Sequence, residues 1–100
     1  MGWAARYIAE LKDGKEVKFR PRGNSMVGRI SSGQLVTVVP LGDYVLQKDD
    51  IVLCKVNGNE YLHLVKAISA GRYQIGNNRG GINGWVSLNC IFGRCVKVEA

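Results

Sequence analysis

The stretch DIVLCKVNGNEYLHLVKAI, residues 50 to 68, sets a turn signal between two runs of strand-forming residues. Asn57-Gly58 is the dipeptide that best accepts the two consecutive left-handed conformations of a type I′ turn, whose twist matches that of antiparallel strands. DIVLCKV at 50–56 and EYLHLVKAI at 60–68 are rich in β-branched and large apolar residues, which fit a pleated, buried surface. Residues 50–68 are therefore expected to form one antiparallel hairpin. Similar runs recur on either side of it: VKF at 17–19, QLVTVVP at 34–40, RYQI at 72–75 and IFGRCVKV at 91–98. The N-terminus differs. Trp3, Tyr7, Ile8 and Leu11 recur at helical spacing, with Glu10 and Lys12 on other faces and a stop at Asp13-Gly14, which predicts an amphipathic helix over residues 2–12. An N-terminal helical unit, 1–14, followed by a β-rich core, 15–100, makes one mainly β domain, a coiled sheet or partly open barrel with one N-terminal helix.

The chain has 100 residues, 46% of them hydrophobic and 22% charged, enough for one core and too few for two domains. No apolar run approaches the roughly 20 residues of a membrane-spanning helix, and MGWAARYIAE lacks the charged-then-apolar order of a secretory signal. A soluble, cytoplasmic chain is expected. Cys54, Cys90 and Cys95 match neither a CxxC pair nor zinc knuckles; they are expected to be reduced and largely buried. No metal and no organic cofactor is implied: the three cysteines together with His63, the single histidine, lack metal-ligand spacing. The net charge of +6 favours acidic partners. Its densest cluster, KEVKFRPR at 15–22, includes Glu16, however, and Phe19 and Tyr7 suit a core as well as they suit base stacking. A nucleic-acid partner thus rests on charge alone and ranks third among the functions considered.

RPRGNSMV, residues 20–27, presents Ser25 either as a turn residue or as a nucleophile held at the end of a turn. Pro21 restricts Arg20 to extended geometry, and Gly23 and Asn24 tolerate positive φ, so the chain can bend sharply before Ser25. The loop-like composition IGNNRGGINGWV, residues 75–86, has glycines at 76, 80, 81 and 84. It is expected to be a long structured loop packed by Trp85. Its functional alternative is a border to the Ser25 cleft, with Asn78 exposed there and Arg79 meeting a carboxylate on a partner. No P-loop lysine stands at the required spacing.

GNSMVGRISSGQLVTV, residues 23–38, resembles the G-x-S-M segment and the following I-x-x-G-D-x-V pattern of LexA-type self-cleaving repressors and type I signal peptidases. DDIVLCKVNGNEYLHLVKAI resembles their next hairpin, and IFG their final strand, so the likeness spans roughly residues 17–98. The resemblance implies a LexA/signal-peptidase-like coiled sheet and a serine nucleophile at Ser25. Family members carry lysine or histidine as the base. Keeping the Asn57-Gly58 turn in register places His63 there, whereas matching the local V-K string selects Lys66. His63 is preferred, since imidazole titrates near neutrality while a lysine must first be strongly desolvated. Three positions separate the two residues, so a regular strand points them to opposite faces.

The histidine-using branch has a G-D-N-N stretch whose acid orients the imidazole; here Gly76-Asn77-Asn78 stands in its place. Asn77 is then the candidate to orient His63 through its amide oxygen. The aspartate after Gly33 in the family pattern is Gln34. The chain is expected to lack the DNA-binding helix-turn-helix of the repressors and the membrane anchor of the signal peptidases, and Ala70-Gly71 fits a hairpin turn rather than a cleavage site.

These features imply a serine peptidase acting through a Ser25–His63 dyad, with oxyanion donors from the Gly23-Asn24-Ser25 turn. Its polypeptide substrate or protein partner would lie as an extended strand beside the cleft, its small side chains in apolar pockets. The alternative is a catalytically inactive binding or regulatory module on the same fold, in keeping with the missing acid. The dyad requires Ser25 Oγ and a His63 nitrogen about 2.6–3.2 Å apart.

Overall fold

A computed structural model describes residues 2–100. One helix, α1 (Ala5–Lys12), precedes seven strands: β1 (Val17–Phe19), β2 (Leu35–Val39), β3 (Ile51–Val56), β4 (Asn59–Ser69), β5 (Arg72–Gly76), β6 (Ile82–Ser87) and β7 (Ile91–Glu99). The strands form one antiparallel sheet in the order β1-β2-β7-β3-β4-β5-β6. The sheet is not closed, so β1 and β6 are its two edges. The β3–β4 hairpin turns at Asn57-Gly58 with φ of 51° and 81°, the pair of positive values a type I′ turn requires.

Both faces of the sheet are buried, which explains the continuous apolar runs. On one face Leu53, Leu62 and Leu64 pack with Val36 and Val38 against Ile8 and Leu11 of α1. On the other, Val52, Cys54, Val65 and Ile75 join Leu46, Val86 and Ile91. Strand alternation in β3 and β4 assigns neighbouring residues to opposite clusters. Gly93 marks where the helix comes closest: a Cβ there would lie 2.6 Å from the Val39 carbonyl oxygen and 3.1 Å from Leu11.

Register shifts interrupt four of the strand pairings. Each leaves one residue without an opposite number: Val96 and Phe92 in β7, Lys66 in β4 and Asn83 in β6. Bulges of this kind increase local twist and bend the strand, and they coil the sheet around its two clusters.

The helix begins at Ala5 rather than Gly2. Its start is fixed by β4: Ala4 N–H donates to the Glu60 carboxylate at 2.6 Å, and Trp3 Nε1 donates to the Glu60 carbonyl at 3.1 Å. The expected loop over residues 75–86 is also different. Ile82–Ser87 is a strand paired with β5, and Trp85 is 42% exposed instead of packing a loop. Asn and Gly in INGWVS lower its strand propensity, and pairing to β5 overrides that.

Candidate active site

Ser25 lies on the connection between β1 and β2, which folds back on itself. Gly33 N–H donates to the Pro21 carbonyl at 2.9 Å and Arg20 donates to the Gly33 carbonyl at 2.8 Å, closing the base of the loop. Gln34 accepts the Ser31 N–H at 2.7 Å, so a neutral amide caps the turn where the family pattern has an acid. Met26 and Ile30 anchor the loop in the core, while Gly28 at φ 97° lets the chain reverse between them. Burial of the residue after Ser25 leaves the serine side chain at the groove surface.

His63 sits in β4 opposite Val52. It is 6% exposed, and its ring stacks on that of Tyr61, two residues earlier on the same strand face, at 4.8 Å. Both ring nitrogens have partners. Nε2 lies 3.1 Å from Ser25 Oγ and Nδ1 lies 2.7 Å from Asn83 Oδ1. An amide oxygen only accepts, so Nδ1 carries the proton and Nε2 presents its lone pair to the serine hydroxyl. Ser25 O–H donates to Nε2, and Nδ1–H donates to Asn83. This is the tautomer in which imidazole can take the serine proton.

Burial pushes the His63 pKa below its ordinary value, and the Asn83 bond opposes that shift by favouring the charged ring. The imidazole is therefore neutral at neutral pH. Asn83 reaches it because it is the unpaired residue of the β6 bulge, between Ile75↔Gly84 and Gly76↔Ile82. A bulge re-aims a side chain that strict alternation would direct elsewhere.

Asn83, not Asn77, orients the histidine. Asn77 Oδ1 accepts the N–H groups of Arg79 and Gly81, both at 2.8 Å, and so holds its own turn together. The signal for Asn83 in the sequence is slight: a short polar side chain between Ile82 and Gly84 in a stretch that does not look like a strand.

Lys66 is not brought to Ser25 either. It is the unpaired residue of the β4 bulge, and its Nζ donates to the Asn77 carbonyl at 2.9 Å. Gly23 is also excluded as an oxyanion donor, since its N–H donates to Ser32 Oγ at 3.2 Å. Asn24 is exposed, and its carbonyl accepts the Val27 N–H. Among the described residues the Ser25 N–H has no intramolecular acceptor and stays available.

Asn78 borders the site and clamps the serine loop. Its N–H donates to the Ser25 carbonyl at 2.8 Å, its Nδ2 to the Val27 carbonyl at 2.7 Å, and its Oδ1 accepts from Arg29 Nε at 3.1 Å. Arg79 beside it is exposed. Ser25 and His63 open onto a groove of about 430 Å³ whose wall includes Trp3, Tyr7, Phe19 and Leu62. The chain matches no protein-family model, and no curated protein matches it.

Proposed function

We propose that the chain is a serine hydrolase acting on peptide bonds, of the kind its resemblance to LexA-type repressors and signal peptidases implies. The observation that carries this reading is the one-directional relay Ser25–His63–Asn83, with contacts of 3.1 and 2.7 Å. Ser25 Oγ attacks the substrate carbonyl carbon while Nε2 accepts its proton, and the carbonyl oxygen becomes an oxyanion that the Ser25 N–H meets. Collapse expels the amine, which takes the proton from Nε2 and leaves an ester on Ser25. Water, deprotonated in turn by Nε2, then hydrolyses that ester. Asn83 holds the ring in the required tautomer and acts as a positioning residue.

Asn83 is neutral, so it stabilises the transient imidazolium less than a carboxylate does. That single feature favours a second reading, a binding module that retains the groove without turnover. A fluorophosphonate, followed by intact mass, separates the two. The hydrolase reading expects one adduct on the parent and none on Ser25→Ala or His63→Ala. Equal adducts on all three proteins would remove it; no adduct on the parent would leave the binding module.

A further inference from the structure

We propose that the groove beside Ser25 receives a large apolar side chain, of aromatic or leucine size, on the acyl side of the bond that is cut, in place of the small side chain expected from the sequence. This rests on the hydrolase reading for its chemistry, but the groove itself is a feature of the fold. Its floor is built from Phe19, Met26 and Leu62, all buried. Its far wall comes from the N-terminal segment, where Tyr7 stacks on Phe19 at 4.5 Å and Trp3 meets the Phe19 edge at 5.6 Å.

Trp3 is 52% exposed, yet its indole N–H is fixed to the Glu60 carbonyl at 3.1 Å. A half-exposed aromatic face held in place is a preformed contact surface with little conformational entropy left to lose on binding. The one acid in the groove wall, Glu60, directs its carboxylate to the Ala4 N–H at 2.6 Å, so the far wall is mainly apolar.

The leaving amine must lie at Nε2 to receive its proton, whereas the aromatic wall lies beside Glu60, three residues away along β4 and thus about 10 Å distant. The acyl half of the substrate is assigned to that wall, and peptides varied on the acyl side test the assignment. A volume of about 430 Å³ lies in the range of pockets that enclose whole small molecules and far exceeds what a methyl group fills. The occupant is the serine's own substrate, because Ser25 and His63 form part of the same wall.

The test uses peptides that differ only in the acyl-side residue: Phe, Leu, Ala or Asp. The expected result is kcat/KM at least about tenfold higher for Phe and Leu than for Ala and Asp, the size of effect an apolar pocket gives. Trp3→Ala should reduce that ratio severalfold, the loss falling mainly on the Phe and Leu peptides. Ser25-dependent cleavage with a flat or Ala-favouring profile would overturn the proposal and leave the dyad standing.

A second measurement makes the converse failure visible. In the Ser25→Ala, Trp85→Phe double variant Trp3 is the sole indole, and the Phe peptide should quench it saturably at lower concentration than the Ala peptide. Such binding without any cleavage or phosphonate adduct in the parent would keep the pocket and end the hydrolase reading. Equal or absent binding of the two peptides would end the pocket.

Discussion

Two hairpins meet at the imidazole of His63 and reach it by opposite means. The β3–β4 hairpin is regular: its register runs without a shift from Ile51↔Leu64 to Val56↔Asn59. Alternation alone therefore decides that Leu62 and Leu64 face the helix side while His63 does not. The β5–β6 hairpin is irregular, shifted between Ile75 and Gly76, and the residue left over, Asn83, is the one that binds Nδ1. Regular pairing fixes a face and holds the core together. Irregular pairing reaches a point in space that alternation cannot, even though the same hairpin buries Ile75 and Val86 in the second cluster.

Substitutions in the two hairpins should separate these contributions. The largest effect is expected for Leu53→Ala in the regular hairpin, whose side chain is fully buried. Removing it should cost about 2–5 kcal/mol in chemical denaturation, through lost apolar transfer and the cavity left behind. Asn83→Ala, on a strand edge and partly exposed, should cost about 1 kcal/mol or less of stability. It should nonetheless slow phosphonate labelling of Ser25 by about ten- to a hundredfold, since the imidazole loses the partner that fixes its tautomer. A stability loss in Asn83→Ala as large as that of Leu53→Ala would erase the distinction between the hairpins.

The pH dependence sharpens the same point. Labelling requires neutral His63, whose pKa burial lowers, so the rate should rise with pH and level off with a midpoint below the ordinary value of about 6.5. The Asn83 bond raises that pKa. Asn83→Ala should accordingly move the midpoint lower still, and Asn83→Asp should move it higher while increasing the rate, because a carboxylate favours imidazolium. A midpoint unchanged in both variants would show that Asn83 does not act on the ring. Stability carries the same sign: between the folded and unfolded pKa the unfolded chain binds more protons at this site, so His63 lowers stability as pH falls through that window.

The contrast between the hairpins also explains how much could be read from the sequence. Six strands were legible because their residues are β-branched or apolar and turns of Asn and Gly bound them. β6 was not, because Asn83 and Gly84 interrupt it and its pairing energy comes from β5. The helix was legible from its 3.6-residue stripe, but not its start, which Glu60 fixes from 56 positions away in the chain. Ser25 and His63 could be named from the family resemblance that residues 23–38 and 49–68 carry, whereas the amide partner could not. Asn77 and Asn83 have the same chemistry, and only the turn that consumes one and the bulge that re-aims the other tell them apart. Long-range backbone irregularity leaves no period in a sequence.

Asn78 should give an intermediate effect. It holds the serine loop by three hydrogen bonds, two of them to backbone carbonyls. Asn78→Ala keeps its own N–H bond to Ser25 and loses both side-chain bonds, so labelling should fall about three- to tenfold for a stability loss near 1 kcal/mol. Wild-type labelling in this variant would mean that Met26 and Ile30 suffice to hold the serine.

The smallest effect is expected at Lys66, the other residue that a bulge leaves unpaired. A register shift alone does not make a residue functional; the contact its side chain gains decides that. Lys66 reaches the Asn77 carbonyl, not Ser25, and so ties β4 to the turn beside the site without entering it. Lys66→Met keeps the aliphatic stem and removes one part-buried hydrogen bond, for which about 0.5–1.5 kcal/mol is the ordinary contribution. Labelling of Ser25 should then change by less than about threefold, and the midpoint of its pH profile should remain that of His63. A lysine base would behave otherwise: Lys66→Met would abolish labelling, and the parent profile would follow an amine. Measuring rate and midpoint in this one variant therefore distinguishes a bulge that supports a turn from a bulge that supplies a proton acceptor.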